Sequence, residues 1–405
     1  MARIDSTLYH VKDGKLFRTV AIKGMEWLNK NPGKSLTKLG VGDVTQPLAK
    51  AVVEAMKKGA DEMGDKATFH GYAHGNGYEF LIDNIIKYDY NARGVELNAK
   101  DVFITDGSTS DIYSLTDIFS RDAEVLVPDP AYPAYVDMNM MLGRKIHYAN
   151  CYEALGFIPQ PPDFGVDIVY LCSPNNPTGA LMELEDLQMW VDYAKKWDAV
   201  IIMDSAYESF ITGNKPHSIF EAKGALDVAV EIRSYSKTAG FTGVRCSYCV
   251  VPSTVKCWND VGERVCLRDL YEKKREVRFF GVGYVTQCAA NAFYSEDGHK
   301  ECMDNTAYYK NNGKVIKSTL EGVGVKCIGG THSPYIWMKC PGGMGSWEFF
   351  DRLLGETGVV MTPGAGFGPS GDGWMRISSF GDAAATKKGI DMVAEVCKKI
   401  TAERG

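Results

Sequence analysis

Ile168-Val169-Tyr170-Leu171-Cys172-Ser173-Pro174-Asn175-Asn176-Pro177-Thr178-Gly179 carries the reading of the fold. Five apolar residues run without a polar break, and a turn of Ser, Pro, Asn and Gly follows at once. A strand covered on both faces has no wet side, so its sequence is continuous and not alternating. The signature recurs along the chain. Val102-Phe103-Ile104-Thr105 runs into Asp106-Gly107-Ser108-Thr109-Ser110, and Val125-Leu126-Val127 into Pro128-Asp129-Pro130. Val200-Ile201-Ile202-Met203 ends at Asp204, and Cys249-Val250-Val251 at Pro252.

Longer stretches with helical spacing lie between these runs. Leu184, Leu187, Trp190, Val191 and Ala194 make one apolar stripe. Buried strands alternating with helices predict an α/β fold, its sheet mostly parallel and flanked by helices. Ligands in such folds bind beyond the carboxyl ends of the strands. The polar turns just quoted fall at those ends. The 405 residues allow two or three units. The pattern divides them into an N-terminal arm that completes part of a smaller unit (1–45), a large α/β unit (46–290) and a smaller C-terminal α+β unit (291–405). Pro334-Tyr335-Ile336-Trp337-Met338 is a strand of the last.

Composition removes several function classes. Hydrophobic residues are 45%, charged residues 24%, and net charge is −6. That is an ordinary globular profile, without the basic clusters that nucleic acid or an anionic membrane requires. Lys273-Lys274-Arg275 with Arg278 reads as a solvated helix face. The cysteines number 11 and are scattered. Cys246 and Cys249 form a C-x-x-C, but no second pair follows at zinc spacing, so buried strand residues are expected and no metal site. Reduced thiols fit the cytoplasm. Met1-Ala2-Arg3-Ile4-Asp5-Ser6 has no apolar core of a signal peptide, and no run approaches 18 apolar residues. Asn31-Pro32-Gly33-Lys34-Ser35 resembles part of a phosphate loop, but that motif needs a glycine where Leu28 stands.

Five segments can carry chemistry. In Ser234-Tyr235-Ser236-Lys237-Thr238-Ala239-Gly240-Phe241-Thr242-Gly243-Val244-Arg245, a lysine sits among hydroxyls and glycines. A lysine that attacks an aldehyde must be neutral, so it needs a lowered pKa. Ser234, Ser236 and Arg245 suit a phosphate. Asp204 is either a helix N-cap or a partner for a protonated ring nitrogen, and Tyr207 follows three residues on. Asn176 is either turn chemistry or a hydrogen-bond donor to a ligand oxygen. Ser108 and Thr109 sit where a helix N-terminus can bind an anion, with Ser108 also a capping candidate. Trp374-Met375-Arg376-Ile377-Ser378 puts an arginine in a strand, either on an exposed edge or buried to grip a carboxylate.

Order and spacing join these segments. LGVGDVTQPL (39–48), VFITDGSTSDI (102–112), DPAYPAYVD (129–137), LCSPNNPTGA (171–180), MDSAYE (203–208), SYSKTAGFTGVR (234–245), TPGAGFGPSGDG (362–373) and RISSFG (376–381) resemble the fold-type-I pyridoxal-phosphate aminotransferases of class I/II. Within them the LL-diaminopimelate aminotransferases are most similar, over residues 36–400. The resemblance implies a homodimer with shared active sites and pyridoxal 5'-phosphate as cofactor. Lys237 would hold it as a Schiff base and shuttle protons. Asp204 would face the ring nitrogen, Asn176 and Tyr207 the phenolic oxygen, and Tyr132 the ring. Ser108, Thr109, Ser234, Ser236 and Arg245 would take the phosphate, with Tyr72 reaching in from the neighbouring subunit. Arg376, Asn176, Gly42, Lys15 and His74 would meet the substrate, an amino acid or 2-oxo acid.

The chain departs from that subfamily at substrate-facing positions. Where the pattern reads G-Y-G-A-E-Q-G, it has Gly71-Tyr72-Ala73-His74-Gly75-Asn76-Gly77. The glutamate that grips the distal end of the substrate is thus Gly75. An asparagine becomes Phe280, a phosphate-side lysine becomes Thr109, and Tyr-Leu-Phe becomes Lys15-Leu16-Phe17. Lys15, Arg18, His74 and Arg278 remain to meet a different distal group. Amino transfer is the first expectation; elimination, replacement or oxidation of an amino acid on the same scaffold is the second.

Overall fold

The computed structural model of the chain describes residues 2, 5–7, 15–73 and 75–404, without the side chain of Lys15. A short strand, β1 (Thr37–Lys38), precedes the main sheet. That sheet takes β2 (Val102–Thr105), β3 (Val125–Asp129), β4 (Ile146–Asn150), β5 (Ile168–Cys172), β6 (Val200–Asp204), β7 (Ala229–Ser234) and β8 (Ser247–Val250). Their spatial order is β2-β8-β7-β6-β5-β3-β4. All neighbours run parallel except β8, which is antiparallel to both β2 and β7.

The opening stretch explains the layers. Val169 and Leu171 of β5 join one hydrophobic core, while Ile168, Tyr170 and Cys172 join another. Ile201 and Met203 of β6 follow the first set, Val200 and Ile202 the second. Successive strand residues point to opposite faces, so a continuous apolar run feeds two cores at once. Helix Leu184–Trp197 covers one face with Leu187, Trp190, Val191 and Ala194 buried, while Leu184, its first residue, is exposed. Truncating the fully buried Trp190 would cost about 3–5 kcal/mol.

Strands β9 (Lys256–Trp258) and β10 (Arg264–Cys266) form a hairpin. Helix Leu267–Arg278 follows and corrects one expectation. Its basic run is not a solvated face throughout, because Arg275 is only 4% exposed. Arg275 donates to the carbonyls of Gly75 (2.9 Å) and Ile104 (2.7 Å), which ties the Gly75 turn to β2.

The C-terminal region has its own sheet. It is built from β11 (Cys327–Gly329) and β12 (Tyr335–Lys339), then, past β13 (Val359–Val360), β14 (Thr362–Pro363) and β15 (Trp374–Ser378). The order is β11-β12-β15-β14. Arg376 therefore sits on an inner strand, opposite Trp337 and Thr362, and is 2% exposed. The exposed-edge reading of Arg376 is excluded. The N-terminal segment is stitched to this region, since β1 pairs in parallel with β13 and Ser378 N donates to Leu39 O at 2.7 Å. Gly40 and Gly42 are thereby carried to the end of the main sheet.

Candidate active site

Register places the chemistry. β5 and β6 pair from Ile168↔Val200 to Cys172↔Asp204, so the Asn176 turn lies beside Asp204. Ser247 pairs with both Thr105 and Ser234, which brings the ends of β2 and β7 together. These ends and the C-terminal sheet enclose a cavity of about 260 Å³. Gly42, Ser108, Thr109, Tyr132, Asn176, Asp204, Tyr207, Ser234, Ser236, Lys237, Arg245 and Arg376 all line it. They span more than 330 positions of chain.

Asp204 forms the floor and is 6% exposed. Its Oδ2 accepts from the Tyr135 hydroxyl at 2.7 Å and its Oδ1 from Ala206 N at 3.1 Å. No α-helix starts here, so the N-cap reading of Asp204 does not hold. Burial pushes its carboxyl up, against those two donors. Lys237 stands on the short helix Tyr235–Thr238, whose cap is Ser234 accepting from Ser236 N. Its Nζ donates to Gly42 O at 2.5 Å. Burial lowers its pKa to about 8; Asp43 opposes the shift, and Arg376 and Arg245 add to it.

An anion cup faces the lysine. Ser108 and Thr109 begin helix Ser108–Thr116, with Gly107, not Ser108, in the capping position. Gly107 has φ +133°, and a Cβ there would run into the Arg245 guanidinium. Glycine is what lets Arg245 lie across the helix N-terminus. Arg245 also donates to Ser236 Oγ at 3.2 Å. Beneath the cup, Asp111 accepts from Thr105 Oγ1 (2.5 Å) and Ser247 Oγ (2.8 Å), and burial drives its pKa up to about 7.

Opposite, Arg376 donates to Asn176 Oδ1 (2.8 Å) and Gly40 O (3.0 Å), while its Nε has no partner. Its guanidinium lies over the rings of Tyr335, Phe367 and Phe17, at 4.5, 4.8 and 5.6 Å. Asn176 Nδ2 donates to Tyr207 Oη at 3.4 Å, and Tyr207 Oη is 3.1 Å from Tyr335 Oη. Phe17, Thr242 and Tyr335 line the cavity, and Tyr135 supports its floor; of the four, the sequence placed only Phe17 in a substrate-facing segment. Tyr135 had a local signal, since it lies one helical turn after Tyr132 in Tyr132-Pro133-Ala134-Tyr135.

Other expected residues lie elsewhere. Tyr72 is 87% exposed and packs at 5.4 Å against Phe280, itself 65% exposed; neither lines the chain's own cavity. Gly75 is exposed, with no atom within 4 Å of where a Cβ would stand. The Lys15 side chain and His74 lie outside the described residues. Arg278 pairs with Asp117 at 2.5 Å. A larger cavity, about 770 Å³, includes Asp89, Glu208, His217 and Arg233. These four are paired among themselves and with their neighbours: His217 with Glu208, Arg233 with Glu231, and Tyr248 and Tyr294 on Asp89. It has no nucleophile at a strand end. Cys246 and Cys249 are buried. Among the described residues there is no cluster of metal-ligating side chains and no helix long and apolar enough to cross a membrane.

The aminotransferase class I and II family pattern matches residues 34–396. The chain belongs to that family. As a class I and II aminotransferase it uses pyridoxal phosphate to move an amino group between an amino acid and a 2-oxo acid. It is 48% identical over 398 residues to the LL-diaminopimelate aminotransferase of Methanosphaera stadtmanae, covering 95% of this aminotransferase and 97% of that one. It is 44% identical to the Agathobacter rectalis enzyme of the same name, over 97% and 99%. The fold superposes on L,L-diaminopimelate aminotransferase from Chlamydomonas reinhardtii with a TM-score of 0.90, at 32% identity, covering 98% and 99% of the two chains.

Proposed function

We propose that the 260 Å³ cavity is the transamination site and that LL-diaminopimelate is the amino donor. The donor set fits pyridoxal phosphate group by group. The Ser108–Thr109 helix terminus, Ser234, Ser236, Thr242 and Arg245 suit its phosphate, and the missing side chain at Gly107 keeps that cradle open. Asp204 suits the ring nitrogen, Tyr132 a ring face, and Asn176 with Tyr207 the phenolic oxygen. When bound, the cofactor supplies an aldehyde and a ring that accepts an electron pair from the substrate's Cα.

The protein's part is positioning and proton handling. Lys237 is poised by burial to give up a proton near neutral pH, so its amine can act as nucleophile and then carry a proton at Nζ. Asp204 holds a proton on the ring nitrogen by offering a buried carboxylate. Arg376 lines the cavity with a planar guanidinium whose Nε lacks a protein partner, and such a fork suits a substrate α-carboxylate. The single observation that carries this reading is the convergence of Asp204, Lys237 and Arg376 on one cavity from β6, the segment after β7, and β15.

The relatives' printed name supports diaminopimelate as donor. Its distal end would meet other side chains than the subfamily pattern offers, because Gly75 and Phe280 supply neither a carboxylate nor an amide. We also place Tyr72 and Phe280 at a homodimer interface, where Tyr72 serves the other subunit's phosphate cup. Two exposed aromatics packed on each other suit burial by a partner. The eleven free cysteines suit a reducing compartment such as the cytoplasm. The units 1–45, 46–290 and 291–405 are our division of the chain. The test is turnover of LL-diaminopimelate with 2-oxoglutarate, run beside other amino donors. Preferred use of LL-diaminopimelate supports the reading; no turnover with it, where another donor reacts, contradicts it.

A further inference from the structure

We infer that Tyr335 is a positioning residue for the transfer reaction: its hydroxyl fills the last lone pair on Tyr207 Oη and so aims the Tyr207 hydrogen into the cavity. This rests on the reading of Tyr207 as a partner of the cofactor's phenolic oxygen.

Tyr335 begins β12, two residues before Trp337, whose partner across the sheet is Arg376. Alternation puts Tyr335, Trp337 and Arg376 on one face. The Tyr335 ring is buried, 4.5 Å from the Arg376 guanidinium and edge-on to the Tyr207 ring at 5.1 Å. A Cβ on Gly42 would come within 2.9 Å of Tyr335 Oη, so the chain at Gly42 closes over that hydroxyl. Tyr335 Oη is left facing Tyr207 Oη at 3.1 Å.

A tyrosine hydroxyl has two lone pairs and one hydrogen. On Tyr207, Asn176 Nδ2 occupies one lone pair at 3.4 Å. The amide cannot turn round, because Arg376 donates to its Oδ1 at 2.8 Å. Of the two hydroxyls, Tyr335 is the one beside a cation. Burial raises the pKa of both hydroxyls, but Arg376 holds Tyr335 down while Tyr335 pushes Tyr207 further up. The more acidic hydroxyl donates, so the hydrogen runs from Tyr335 to Tyr207. Both lone pairs of Tyr207 are then filled, and its own hydrogen is left for a ligand acceptor. Chained donation also strengthens the outgoing bond.

A donor on the cofactor's phenolic oxygen draws off negative charge and lowers the pH at which the bound chromophore titrates. The experiment is a pH titration of holoenzyme absorbance, without substrate, for wild type, Y207F, Y335F and the double variant. Phe at 335 keeps the ring that packs on Arg376. The expected Y335F midpoint lies above wild type by about half a unit to one unit, as befits one hydrogen bond. Y207F should rise further, and the double variant should match Y207F, because Tyr335 acts through Tyr207. Y335F should also lower kcat with little change in KM for the donor. A Y335F midpoint equal to wild type, beside a shifted Y207F, overturns the inference. So does an additive double variant. If Y207F itself does not shift, the reading of Tyr207 fails first and the inference falls with it.

Discussion

Tyr135 donates its hydroxyl hydrogen to Asp204 Oδ2 over 2.7 Å, and both groups are buried. The bond stabilises the ionised carboxylate against the burial that disfavours it. In Y135F that support is gone and the Asp204 pKa moves further up. A carboxylate is lost as pH falls through its pKa, so the defect must grow toward acid. Cofactor affinity of Y135F should fall about tenfold at pH 6 and less at pH 8, measured by fluorescence titration of the apoprotein. An affinity loss independent of pH would contradict this account of Tyr135.

Lys237 sets a second pH dependence. Its amine is mostly cationic below about 8 and mostly neutral above. The rate at which apoprotein captures pyridoxal phosphate should therefore rise from pH 7 to 9 and level off. An unperturbed lysine would still be rising near the ordinary lysine value of 10.5. Asp43 favours the cation, so D43N should move the midpoint down. Stopped-flow absorbance reads both.

Arg376 makes a third case. Lysine there keeps the charge but loses the planar fork. R376K should raise KM for the amino donor and lower kcat/KM by roughly 30- to 5,000-fold, the range for breaking a buried charge pair. Because Asn176 and Gly40 lose a donor too, the variant should also melt lower. Steady-state kinetics and calorimetry separate the two effects.

The shared-site proposal predicts complementation. K237A and Y72A should each be impaired as homodimers. Mixing unfolded subunits and refolding them together gives hybrids with one intact site each, recovering roughly a quarter of wild-type sites if pairing is random. No recovery, with hybrids demonstrated by mass, would remove Tyr72 from the partner's cup.

The strands were legible because parallel strands covered on both faces are written as unbroken apolar runs, as at Ile168–Cys172. The turns at their ends were legible because Ser, Asn, Asp and Gly have few other reasons to follow such runs. The antiparallel setting of β8 was not, since a short run carries no direction. Register also hides from sequence. Trp337↔Arg376 pairing is what carries Tyr335 and Arg376 to one face, and no local pattern near either residue encodes it. Arg275 was misread for a related reason: its neighbours Lys273, Lys274 and Arg278 suggest solvent, but its carbonyl partners lie 171 and 200 positions away.

In the proposed site, Lys237 is the amine that holds the cofactor. Borohydride reduction of the holoenzyme followed by peptide mapping tests it most directly. A pyridoxyl adduct on Lys237 is the predicted result; an adduct on another lysine, with Lys237 unmodified, would contradict it.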